Sequence, residues 1–125
     1  MAKAIDPSRA FDYVLEEDRK LPVEEQTVFH LKVLSARELA QLEDSMSTVK
    51  LGAEGTMQIN SGSHVLKVLD MGLVGWDNLL NEAGGVVAFD KKDVRRWDYL
   101  RPEWRRELTN AITEQTRPTK DEVKN

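Results

Sequence analysis

GLVGWDNLLNEAGGVVAF, Gly72 to Phe89, decides the fold of this 125-residue chain. It carries one tryptophan of the kind that cores take in, Trp76, two short apolar runs, and glycines at 72, 75, 84 and 85. Apolar runs on either side of a glycine-containing loop read as a β-hairpin, here over Trp76–Phe89. Gly72 is well placed to stop a preceding helix over His64–Met71, with Val65, Leu66, Val68 and Leu69 mostly buried. Ser61-Gly62-Ser63 supplies candidate caps for that helix.

Upstream, Phe11, Tyr13 and Leu15 alternate with Asp12, Val14 and Glu16, which predicts a half-buried strand over Phe11–Leu15. A charged turn, Glu17 to Lys20, is closed by Pro22. Gln26–Leu34, QTVFHLKVL, is the best strand of the chain. Its face of Thr27, Phe29, Leu31 and Val33 is apolar past the threonine and is expected to meet the core. Ser35-Ala36-Arg37-Glu38 is a capping box, because the serine hydroxyl and the glutamate carboxylate can each satisfy the other's orphan amide. The helix it starts is predicted to run from Ala36 to about Met46, with Leu39, Leu42 and Met46 on one stripe. Beyond it, Gly52 and Gly55 break the pattern, and Met57–Asn60 alternates as a short strand would.

Downstream, Asp90 is placed to cap a helix over Lys91–Tyr99. Pro102 suits the first position of a last helix, whose stripe is Trp104, Leu108, Ala111 and Ile112. The expected architecture is α+β: a small antiparallel sheet with hairpins, packed against about four short helices. The expected core is Phe29, Leu31, Leu39, Leu42, Leu69, Trp76, Phe89, Val94, Trp97, Trp104, Leu108 and Ile112. One domain over 1–115 is expected, with residues 1–10 a loose leader and 116–125 a disordered tail.

With 40% hydrophobic and 32% charged residues, the composition belongs to a folded chain and not to a disordered one. No cysteine is present, so disulfides and thiolate metal sites are excluded. No apolar run reaches the roughly 18 residues of a bilayer span. An apolar signal-peptide core is also missing, and cytoplasmic residence is the expectation. Charge is unevenly placed. Residues 1–90 hold 8 basic and 15 acidic side chains, whereas 91–107 hold 7 and 4. A basic patch on an acidic body fits an acidic partner or the acidic body of a second copy, although a solvated helix face would look the same.

No enzyme is expected. No serine lies in a Gly-x-Ser-x-Gly elbow, and no glycine-rich loop is followed by Gly-Lys-Ser/Thr. The two histidines, His30 and His64, lack companions at metal-ligand spacing and read as surface or half-buried imidazoles. Carboxylate runs such as Glu16-Glu17-Asp18 read as solvated charge. No cofactor is expected. Trp97, Tyr99 and Trp104 lie among seven basic residues, a pattern that can stack bases and hold phosphates. Both tryptophans fit the core better, and the net charge of −4 opposes nucleic-acid binding.

Three segments, LPVEEQTVFHLKVLSAREL, GLVGWDNLLNEAGGVVAF and RPEWRRELTNAI, resemble the tail assembly chaperones and related tail-morphogenesis proteins of long-tailed bacteriophages and prophages. The Gly75-Trp76-Asp77-Asn78 step carries most of the likeness, followed by an acidic-glycine turn, a short apolar strand ending in Phe89 and a closing helix. The resemblance spans Phe11 to Ile112. It departs at Glu82-Ala83-Gly84-Gly85, where the family pattern has a tighter Asp-Gly followed by an apolar–proline pair. The resemblance implies a non-enzymatic protein that keeps the long helical tape measure protein soluble, helps recruit tail tube subunits and self-associates. Arg95, Arg96, Arg101, Arg105 and Arg106 are the candidate partner-binding residues. A virion or head–tail joining component, and a phage-encoded inhibitor of a host protein, are the alternatives.

Overall fold

The computed structural model describes Ala2, residues 9–52 and residues 62–116, with the backbone alone at 45–52. Three strands, β1 (Ala10–Tyr13), β2 (Val28–Lys32) and β3 (Leu73–Asp77), form one antiparallel sheet in that order. Three α-helices accompany it: α1 (Ala36–Gly52), α2 (Gly62–Gly72) and α3 (Pro102–Thr116). The fold is α+β, with three α-helices among the described residues where the sequence predicts about four.

β2 is central because its alternation is the cleanest. Phe29 and Leu31 are fully buried, while Val28, His30 and Lys32 lie on the opposite, half-exposed face. Tyr13 pairs with Phe29 and Phe11 with Leu31, so the apolar side chains of β1 join the same face. β3 keeps that face by a bulge. Gly75 lies opposite His30 and Leu73 opposite Leu31, so Val74 is the extra residue and points to solvent. Leu73 and Trp76, three apart in sequence, thereby both reach the core.

The predicted capping box forms: Glu38 N donates to Ser35 Oγ at 3.2 Å, and Ser35 N to Glu38 Oε1 at 2.9 Å. Such a cap typically stabilises a helix by about 1 kcal/mol. α1 runs past Met46, since no glycine or proline interrupts it before Gly52. In α2, Val65, Val68 and Leu69 are buried, but Leu66 is 36% exposed, on the side away from the stripe.

The expected hairpin over Trp76–Phe89 is different in kind. Trp76 pairs with β2, not with Val86–Phe89, and the arm after β3 closes through one bridge, Leu80 to Val86. Asn81 makes the turn. Its Oδ1 accepts from Ala83 N and Gly85 N, and Gly84 takes the left-handed φ of 88° that a side chain would resist. The arm is fastened back by Trp76 Nε1, which donates to Val87 O at 2.8 Å, and by Phe89, packed edge-on against Trp76.

The helix expected over Lys91–Tyr99 is reduced to a 3-10 turn at Arg96–Tyr99. Asp90 and Asp93 bend the backbone instead, their carboxylates accepting from Lys92 N and Arg95 N. Val94 consequently points outward, 85% exposed, and not into the core where the sequence places it. Leu39, Phe89 and Trp104 are half-buried against the core, and the other expected core residues are buried within it.

Two expected boundaries move. Ala10 opens β1 and does not close a leader, and Thr116 ends α3 and does not open a tail. Hydrogen bonds pull both in: Arg9 Nη2 donates to Gln115 Oε1, and Leu34 N to Thr116 Oγ1. The Met57–Asn60 strand, the Ser61 cap, the Met46 side chain and residues 117–125 lie outside the described residues. No helix among the described residues is long and apolar enough to cross a membrane.

Candidate functional site

Two segments meet at one end of the sheet. The β1–β2 connection contributes two 3-10 turns, Glu16–Asp18 and Val23–Glu25, and the end of β3 contributes Asn78 to Leu80. Asn78 joins them. It adopts a positive φ of 62°, which asparagine tolerates better than most residues, and its Nδ2 donates to the carbonyls of Glu24 and Gln26. Thr27 Oγ1 returns a bond to Asn78 O at 2.9 Å, and Asp18 accepts from Thr27 N.

Between these segments and α3 lies a cleft of about 160 Å³. Its apolar lining is Leu15, Phe29, Leu79, Leu80 and Trp104, and its polar rim includes Asp18 and Glu25. Glu17 accepts a hydrogen bond from Trp104 Nε1, while the Arg101 guanidinium lies 5.2 Å from the Trp104 ring centre. Leu80 is 52% exposed, and Val86, across the bridge from it, is 72% exposed. Val23 is exposed on the same connection that supplies the acidic rim. A cleft with one apolar wall and two carboxylates in its lining suits an apolar side chain carried between cations.

The five arginines expected to bind a partner differ in exposure. Arg96 is 8% exposed; its Nη2 pairs with Asp70 at 2.6 Å, its Nη1 donates to Asp93 O, and its guanidinium lies 4.0 Å from the Trp97 ring centre. Its side chain is packed against the Trp97 ring, so moving it outward would uncover Trp97. Arg105 is half-buried. Arg95, Arg101 and Arg106 are exposed.

A second polar constellation lies on the open face of the sheet. His30 Nδ1 is 2.7 Å from Asp12 Oδ1, and Nε2 is 2.8 Å from Asp77 Oδ2. Carboxylates only accept, so both bonds form only when the imidazole carries two protons. The hydrogen bond to Asp12, then that to Asp77, holds the His30 pKa above the ordinary 6.5, against an opposing effect of burial. Gly75 lies beside the imidazole: a Cβ there would meet His30 Cδ2 at 3.4 Å, an ordinary contact. The imidazolium ties both edge strands to β2. Its contribution to stability is full below about pH 6.5 and is lost as pH rises through the raised value. In urea titrations over that range, wild type should lose stability toward high pH and His30→Gln should lose less. Equal slopes would show that the contact contributes nothing.

Elsewhere, Tyr13 OH donates to Glu107 Oε2 at 2.7 Å; burial, aided by that carboxylate, pushes the phenol up to about 12. Burial lowers His64. Among the described residues no group of three or more histidine and carboxylate side chains is placed to hold a metal ion. The sequence reading missed the cleft. Its available signal was the pair of acidic runs, Glu16–Asp18 and Glu24–Glu25, placed just before the strongest apolar strand. Comparison of the chain with protein-family models, with curated proteins and with solved structures finds no match.

Proposed function

We propose that this chain is a non-enzymatic tail assembly chaperone of a long-tailed bacteriophage or prophage. In this reading it acts in the host cytoplasm and holds the helical tape measure protein while tail tube subunits assemble around it. The observation that supports the reading is the cleft itself, partly apolar, lined also by Asp18 and Glu25, with Leu80 exposed in it and Val86 exposed across the bridge from Leu80. An amphipathic helix presents apolar side chains at i, i+3 and i+4, and lysines or arginines flanking them would meet the carboxylates. The sequence resemblance supplies the identity of that helix.

Co-expression with the longest coiled-coil-like protein encoded just downstream tests the proposal. Co-purification with a gain in that protein's solubility is the expected outcome. An equally insoluble partner, with nothing retained on the tagged chain, would overturn it.

A further inference from the structure

We propose that the exposed Val94 turn of one copy docks in the cleft of a second copy of this chain, a contact that rests on the cleft being a docking surface as proposed above. Val94 has the greatest exposure of any large apolar side chain among the described residues. It therefore does not occupy its own cleft. Exposed cations surround it in sequence: Lys91, Lys92 and Arg95. None of the three forms an ion pair with a described residue. The two aspartates of the turn point back to the chain, Asp90 to Lys92 N, and Asp93 to Arg95 N and Tyr99 OH. The turn is thus held in shape before contact, with its own carboxylates engaged and its cations and valine directed outward, which lowers the entropy lost on docking.

The cleft is the complement. Its volume of about 160 Å³ has room for one aliphatic side chain, with Leu15, Phe29, Leu79, Leu80 and Trp104 supplying its apolar wall and Asp18, Glu25, Thr27 and Asn78 its polar one. Glu25 on the rim and Glu24 beside it are exposed and make no ion pair among the described residues. Seating Val94 there brings three cations toward Asp18, Glu24 and Glu25. Tyr99, 47% exposed, adds apolar area next to the turn. The valine and the cleft are different surfaces of one chain, so the contact is either repeated head to tail or made twice across a two-fold axis.

Sedimentation velocity of the chain alone tests this at low and at high salt, with Val94→Asp and the Glu24→Lys/Glu25→Lys double variant beside wild type. Wild type should associate at low salt and shift toward monomer at high salt, because the rim charges are exposed and screened. Each variant should weaken association on the order of tenfold or more. All three altered side chains are exposed, so thermal melting should show wild-type folding in both variants. An equimolar mixture of the two variants should form a heterodimer that neither forms alone, since one partner keeps its cleft and the other its valine. A wild-type monomer at low salt, a folded variant that associates like wild type, or a mixture without heterodimer would each overturn the contact. The helix partner is absent from these samples, so failure here leaves helix capture standing, and failure of capture leaves this contact standing.

Discussion

Trp76→Ala is expected to remove about 3–5 kcal/mol of folding free energy, the range for large aromatic truncations in cores. The indole is 5% exposed and meets two rings edge-on, Phe29 with centroids at 6.3 Å and Phe89 at 4.8 Å. The loss also extends beyond volume. Trp76 Nε1 is the donor that holds Val87 O, so the alanine variant leaves that carbonyl short of a partner and releases the arm carrying Leu80. Urea denaturation checks the magnitude, and amide exchange checks the location: residues 79–89 should exchange faster than β1 does. A loss under about 1 kcal/mol, the range of ordinary surface changes, would mean that Trp76 is no core residue.

Gly72→Ala carries the second large effect, and its sign depends on one neighbour. A Cβ at residue 72 would stand 2.7 Å from Ile112 Cδ1 and 2.8 Å from Cγ2. The second atom is a branch methyl on a fully buried side chain, so rotating the end of the isoleucine cannot relieve both contacts. Overpacking of this kind costs about 1–3 kcal/mol. Ile112→Ala alone should cost about 2–5 kcal/mol through the cavity it leaves. In that background the new Cβ has space, and Gly72→Ala should be neutral or slightly stabilising, since alanine is the better helix former. A double-mutant cycle by urea denaturation reads the coupling directly. Additive losses would show that α2 and α3 do not meet at this pair.

Local signals were legible and long-range ones were not. The β2 face of Phe29 and Leu31 follows from alternation, and the Ser35–Glu38 cap from four consecutive residues. Both involve only neighbours along the chain. Trp76 was legible as core, but its partner was not. The Val74 bulge shifts the register by one residue, so Leu73 and Trp76 share a face at a spacing of three that a regular strand does not produce. Arg96 shows the same limit. Nothing beside it in sequence distinguishes it from Arg95, yet it is buried and pairs with the exposed Asp70, 26 residues away. Val94 follows Asp93, and a helix there was a fair expectation until two aspartates captured backbone amides and bent the chain. The cleft needs Leu15, Phe29, Leu80 and Trp104 together, four residues from four parts of the chain, and only the acidic runs beside it lie close enough in sequence to hint at it.

The cleft is central to the proposed function, and Leu80→Asp tests it most directly. Leu80 lines the cleft while remaining 52% exposed, so the substitution places a charge in the slot with little cost to folding. The measurement is co-expression of the downstream coiled-coil protein with wild type and with Leu80→Asp, each scored for the amount of that protein kept soluble and co-purified. The expected result is capture by wild type and its loss in a variant that melts like wild type. Equal capture by both chains would contradict the cleft as the docking site, and capture by neither would contradict the chaperone reading itself.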